Sequence, residues 1–77
     1  MPQDVAIKNM TEKLKRLRGD RSQSEVAEGI GISTSAYANY EAGIRVPRDR
    51  IKMRIANYYD RSVSFIFYDF TDTKRVL

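Results

Sequence analysis

The chain has 77 residues, of which 42% are hydrophobic and 31% are charged, and its net charge is +4. This length allows one small domain, 1–77, with a modest core, so association with a second copy is a natural source of stability. Cysteine and histidine are both missing, which excludes disulfides, cysteine–histidine zinc sites and histidine-based catalysis, and we expect neither a metal nor a cofactor. The sequence shows no apolar run of transmembrane length and no signal peptide, so we expect a cytoplasmic protein without membrane contact.

The first helix is predicted from a capping pattern near the N-terminus. Asn9 and Glu12 have the spacing of a capping box, and apolar residues follow at intervals of three and four. Gly19 is expected to end this helix. The two termini, residues 1–6 and 71–77, are expected to be loose.

The next segment, about 22–43, reads as two short helices joined by a tight turn. Ser22 is expected to cap the first of them, and Gly31 provides the left-handed residue that a sharp turn needs. Ser33 is a suitable N-cap for the second helix, and Gly43 suits its left-handed C-cap. This spacing predicts a helix-turn-helix.

Two further helices are predicted after this segment. Pro47 is expected near the first turn of a fourth helix, where its missing N–H does no harm. Ile51, Ile55 and Tyr59 form the buried stripe of that helix, and residues 63–68 are expected to form a short fifth helix. Because no strand pattern occurs, the fold class is predicted to be all-α.

The charges are unevenly distributed along the chain. Residues 8–21 carry six basic side chains against two acidic ones, and residues 45–54 carry five against one. Between them, residues 22–43 contain no Lys or Arg and three glutamates. Basic flanks around an uncharged polar helix are typical of a protein that grips phosphates and reads bases with neutral side chains. The alternative is that these cations only solvate helix surfaces.

The same segment resembles the helix-turn-helix family of phage lambda repressor and Cro. The matching residues are Gln23, Ala27, Gly31-Ile32-Ser33, Glu41-Ala42-Gly43 and Pro47, and further matches extend the resemblance over about residues 9–68. The resemblance implies a compact five-helix, lambda-repressor-like domain. It also implies a transcription regulator that inserts helix 34–42 into the major groove of double-stranded operator DNA, as a homodimer on a palindrome.

The resemblance further implies which residues contact DNA bases. Asn can bond adenine through two hydrogen bonds, Thr and Ala methyls can pack on the thymine methyl, and Ser is permissive. Because no Arg or Lys lies among them, the half-site is expected to favour A·T pairs. For Thr34 and Ser35 a purely capping role is the alternative. The expected base-reading residues are Thr34, Ser35, Ala38 and Asn39.

Other matched positions imply contacts with the DNA backbone and a brace within the fold. Arg16 and Glu41 are expected to form an ion pair that ties the first helix to the end of the recognition helix. Two exposed surface charges are the alternative. The expected phosphate contacts are Gln23, Arg45, Arg48, Arg50 and Arg21.

The C-terminal segment carries more large apolar residues than one buried stripe of a helix accommodates. Phe65, Tyr68 and Phe70 are expected to pack against a second copy and form a homodimer. Packing on residues 5–7 of the same chain is the alternative.

Two other classes of function remain open from the sequence. An antitoxin-like or other protein-interaction module would use the same fold to bind a still unknown protein partner, with DNA binding secondary. An enzyme is disfavoured, because the sequence pairs no acid with a base and no nucleophile with a partner.

Overall fold

The computed structural model describes residues 2–69 of the chain, with side chains from residue 5 onward. Four α-helices occupy Pro2–Arg18 (α1), Gln23–Ile30 (α2), Thr34–Ala42 (α3) and Asp49–Tyr59 (α4), and a single π-helical turn, Ser64–Tyr68, follows. No strand occurs in the described part, so the predicted all-α, five-helix fold is confirmed.

The predicted start of the first helix is wrong. The helix α1 begins at Pro2, because the segment after Pro2 contains no glycine or second proline to interrupt it and proline is well tolerated in a first turn. Asn9 therefore lies inside the helix and does not cap it. Its buried amide Nδ2 donates a hydrogen bond of 3.1 Å to the carbonyl of Ile66 in the π turn.

The core lies where α1, α2, α3, α4 and the π turn meet. Its twelve buried apolar residues come from all five elements, and they include Ile55 and Tyr59 of the stripe predicted for the fourth helix. Two of the twelve, Tyr37 and Tyr40, lie on the side of α3 that packs on the domain.

The helix α1 uses opposite sides for two different neighbours. Thr11 lies on the side that approaches α3, where its Cγ2 is close to Gly43. Lys13 lies on the other side, where its Nζ donates to the carbonyl oxygens of Phe65 and Asp69 at 2.7 and 2.9 Å. At 3.6 residues per turn, two positions along a helix correspond to a rotation of about 200°. The π turn and α3 are therefore separated by the width of α1.

Candidate nucleic-acid interface

The helix caps predicted for α2 and α3 are present. The Ser22 hydroxyl accepts a hydrogen bond from the Glu25 amide, and the Ser33 hydroxyl accepts one from the Ala36 amide, each at 3.0 Å. Gly31, with φ of 92°, provides the left-handed residue between the helices. Both hydroxyl bonds satisfy amides that a helix start leaves unpaired, and Gly31 and the Ser33 cap together fix the angle at which α3 leaves α2.

The outward side of α3 is neutral and short-chained. Tyr37, Tyr40 and Glu41 are buried, which places the remaining side of the helix toward solvent. Thr34 and Ser35 are exposed, and Ala38 and Asn39 are half-buried beside them. The structure thus brings all four predicted base-reading residues onto one side of α3.

The loop after α3 and the first turn of α4 present the predicted cations. The loop begins at the left-handed Gly43, where the amides of Ile44 and Arg45 both donate to the Asn39 carbonyl, at 3.0 and 3.3 Å. The side chains of Arg45, Arg48 and Arg50 are exposed, and within residues 2–69 none of them has a side-chain hydrogen bond or an ion pair. Arg48 is the N-cap of α4, but its side chain makes no capping bond.

The ion pair expected between Arg16 and Glu41 is wrong in its basic partner. Arg18 makes it, with Nε 2.6 Å from Oε2 and a second bond of 3.0 Å from its terminal nitrogen to Oε1. Arg16 is exposed on the side of α1 that faces away from α3. Because Arg18 lies four positions after the buried Leu14, it shares the inward side of the helix, whereas Arg16 does not.

Glu41 is the buried end of this brace, with 2% of its surface exposed. Burial by itself would raise the pKa of this carboxyl group. Hydrogen bonds from Arg18 and Gln23, with the nearby Tyr37 hydroxyl, outweigh burial and hold the pKa below its usual value. The Gln23 bond, 3.1 Å from Nε2 to Oε1, connects α2 to α3 through the same carboxylate.

A pair of buried tyrosines extends the polar network toward α4. The hydroxyl groups of Tyr37 and Tyr59 lie 2.6 Å apart, and neither residue was assigned a polar role from the sequence. Burial raises the pKa of both phenols, and their mutual hydrogen bond raises that of Tyr37 further. Both therefore stay neutral and serve to hold α3 against α4.

Arg21, which is expected to contact phosphate, has hydrogen-bond partners within the domain. Its guanidinium donates to the carbonyls of Arg18 and Leu17 and to the hydroxyl of Tyr58. It also lies over the rings of Tyr58 and Tyr59, at 5.4 and 5.5 Å from their centroids. These contacts pack the α1–α2 connection against α4, and the phosphate contact expected of Arg21 stays a prediction.

Two of the three residues expected at a dimer interface, Phe65 and Tyr68, line different cavities. Phe65 is half-buried beneath Lys13, whose Nζ lies 4.2 Å from the ring centroid. Tyr68 is 54% exposed and borders a separate apolar groove. Phe70 lies outside the described residues.

Residues 2–69 present neither a cluster of metal ligands nor a helix that could span a membrane. No group of three or more acidic, cysteine or histidine residues there is arranged to hold a metal ion. In the same range, no helix combines the length and the apolar character needed to cross a bilayer.

Comparison with known proteins also identifies a helix-turn-helix in this chain. A family model described as helix-turn-helix matches residues 13–66. A curated relative, the cryptic phage CTXphi transcriptional repressor RstR of Vibrio cholerae, is 31% identical over 61 residues. The match covers 77% of this chain and 55% of the relative, so the chain spans about half of that protein's length. No solved structure matches significantly.

Proposed function

The chain belongs to the lambda repressor/Cro-like helix-turn-helix family of DNA-binding transcription regulators, and we propose that it represses transcription by inserting α3 into the major groove of an operator. The relative is named a phage transcriptional repressor, which supports the direction of the effect. The proposal rests on one observation: the outward side of α3 carries short neutral side chains, and the loop that follows carries exposed arginines whose side chains have no hydrogen bond or ion pair within residues 2–69.

Base recognition is assigned to Thr34, Ser35, Ala38 and Asn39. Such short side chains let the helix axis approach the base edges, and Asn39 supplies a donor and an acceptor that match adenine. The side chain of Asn39 has no hydrogen-bond partner within residues 2–69, so both groups remain available. The proposed operator therefore has an A·T pair opposite Asn39.

The first test replaces this side chain. In Asn39→Ala the backbone carbonyl still accepts its bonds from the loop and alanine favours the helix, so the fold is retained. We expect operator affinity to fall by about 1–3 kcal/mol and the preference at one base pair to disappear. Binding-site selection with both proteins, at one stated salt concentration, measures this. A guanine-rich wild-type consensus at that position, or an unchanged one in the variant, would contradict the assignment.

Backbone contact is assigned to Arg45, Arg48, Arg50 and Gln23. The three guanidinium groups are exposed and uncommitted, as phosphate binding requires. The Gln23 amide nitrogen donates one hydrogen to Glu41 and keeps a second one for a phosphate oxygen. Gln23 would thereby connect the DNA backbone to the buried brace.

The second test separates phosphate contact from base reading. Arg48→Ala is expected to weaken binding to all sequences alike and to reduce the slope of log affinity against log salt by about 0.9. The matched control is Arg16→Ala, which removes the same charge from the far side of α1 and should leave the slope within error. Titrations at several salt concentrations measure both slopes. A loss restricted to one base position would show that Arg48 reads a base.

A homodimer is proposed through the apolar groove beside Tyr68, not through Phe65. This groove, about 330 Å³ in volume, is lined mainly by apolar residues of α1, the loop after α3 and the π turn. Val46 lines this groove and is 53% exposed, and Met53, which is 59% exposed, lines an adjoining groove that shares Lys52 and Tyr68 with it. An exposed apolar surface next to the DNA-contacting loop suits a contact between copies on adjacent half-sites.

The third test places a charge on this surface. Met53→Lys is expected to abolish cooperative binding to a palindromic operator while each half-site is still bound, because a buried ammonium opposes the contact. Glu28→Gln raises the net charge equally at an exposed position of α2 and is the control. Mobility shifts on full and half operators measure cooperativity. Unchanged cooperativity in Met53→Lys would exclude this surface.

A further inference from the structure

A second group of cations surrounds a cavity on the side of α1 that faces away from α3. The cavity has a volume of about 360 Å³, and its wall is formed by Lys13, Arg16, Leu17, Arg61 and Phe65. Three of these five residues are basic, and none of the described residues that line it is acidic.

The three cations have different commitments. Lys13 is buried, and its ammonium group is held by two carbonyl oxygens and the face of the Phe65 ring. Arg61 is exposed and uses one N–H to bond the carbonyl of Asp60 at 3.1 Å. Arg16 is exposed and has no partner within residues 2–69. Two guanidinium groups with unused donors therefore stand at the edge of a cavity that already contains a fixed positive charge.

The operator bound by α3 cannot account for this cluster. Lys13 and Arg16 point away from the side of α1 on which Thr11 and Arg18 meet α3 and its C-cap. A duplex in contact with α3 would have the body of the domain between it and the cavity. The ligand of this site is therefore distinct from the operator segment that α3 reads.

The shape and lining of the cavity indicate the kind of ligand. Its volume lies near the lower end of the range for small-molecule sites, about 300–1,000 Å³. Leu17 and Phe65 provide an apolar wall, and two guanidinium groups suit the oxygens of a phosphate or carboxylate. A duplex backbone is convex and would leave an apolar recess unfilled.

We propose that this cavity binds a small organic anion in which a phosphate or carboxylate is attached to an aromatic or other apolar body. Arg16 and Arg61 hold the acidic group, the buried Lys13 ammonium adds attraction, and the apolar body packs on Phe65 and Leu17. The site is separate from the proposed DNA contacts.

The test is an NMR titration of the isotopically labelled full chain without DNA, so its outcome does not depend on operator binding. The probes are phenyl phosphate and benzoate, with inorganic phosphate and benzyl alcohol supplying the charge and the ring separately. We expect saturable shifts at the amides of Arg16, Leu17, Arg61 and Phe65 with at least one of the two aromatic anions. Inorganic phosphate and benzyl alcohol should each bind at least about tenfold more weakly than that anion, since each lacks contacts worth on the order of 1.4 kcal/mol.

Variants identify the groups that bind the anion. Arg16→Gln and Arg61→Gln should each weaken the binding of that aromatic anion about tenfold, by the loss of one charge-assisted contact. Lys8→Gln removes an equal charge at an exposed position outside the proposed contacts and should leave it unchanged. Shifts confined to residues 34–50, equal binding of inorganic phosphate, or affinity that survives both cavity variants would each overturn the proposal. Saturable shifts at these cavity amides on adding a duplex would also overturn it, because the site would then be a second DNA contact.

Discussion

Arg18→Ala is expected to lower the free energy of unfolding by about 3–5 kcal/mol, because it leaves a buried carboxylate without its cation. The Glu41 side chain is 3% exposed and that of Arg18 is 24% exposed, so solvent screens this pair little. A domain of this kind is stabilised by only about 5–15 kcal/mol in total. The variant should therefore unfold at a much lower urea concentration than the wild type.

The matched control for this substitution is Arg16→Ala. Arg16 is exposed and unpaired within the described residues, so its loss should change stability by less than about 0.5 kcal/mol. Urea denaturation of both variants, followed by circular dichroism, compares the two directly. A larger loss of stability for Arg16→Ala would mean that Arg16 pairs with Glu41. Equal losses would mean that the Arg18–Glu41 pair stabilises the fold no more than an exposed charge does.

The pH dependence of the same pair has a definite sign. The pKa of Glu41 is depressed in the folded protein, so its contribution to stability is complete above its unfolded value of about 4.3. That contribution is lost as the pH falls through the folded pKa. In Arg18→Ala the carboxyl keeps its burial and loses its cation, so the difference in stability between wild type and variant should shrink below about pH 4.

The caps of the helix-turn-helix were predictable from sequence because each is a local matter of one side chain and one turn. Ser22, Gly31, Ser33 and Gly43 all adopt the predicted roles. A short polar side chain at an N-cap and a glycine at a left-handed position depend on neighbours within four residues. Tertiary packing therefore has little opportunity to override them.

The first helix was harder to predict because its boundary and its register depend on distant residues. Asn9 has the spacing of a cap, yet it is buried and bonded to a residue 57 positions away. The resemblance to the family placed the ion pair at Arg16. Helical periodicity from Leu14 contained the correct answer, since only Arg18 lies one turn from a core residue on the same side.

The polar contacts of the core could not be anticipated from one sequence. The Tyr37–Tyr59 hydroxyl pair joins residues 22 positions apart, and Lys13 reaches carbonyls more than 50 positions away. Nothing in local pattern distinguishes a tyrosine that only packs from one whose hydroxyl also finds a partner. The exposed side of α3, in contrast, follows from burial of its other side and was predictable from helical spacing.

Gly43→Ala is expected to destabilise the protein by about 2–4 kcal/mol, through two effects that a second glycine allows to be separated. A left-handed φ of 77° costs an alanine about 1–2 kcal/mol. The new Cβ would also lie 2.9 Å from Cγ2 of Ile7 and 3.2 Å from Cγ2 of Thr11, so α1 must shift. Gly19→Ala, at φ of 60° with open space around it, should cost only the first of these amounts.

The difference between the two alanine variants therefore measures how tightly α1 packs against the end of α3. Urea denaturation measures both stabilities, and equal losses would show that α1 yields without cost. Because Gly43 also begins the loop that carries Arg45 and Arg48, a shift of α1 that is accommodated there should weaken DNA binding. That weakening should appear with operator and unrelated duplex alike, since Arg45 and Arg48 are proposed to contact phosphates and not base edges.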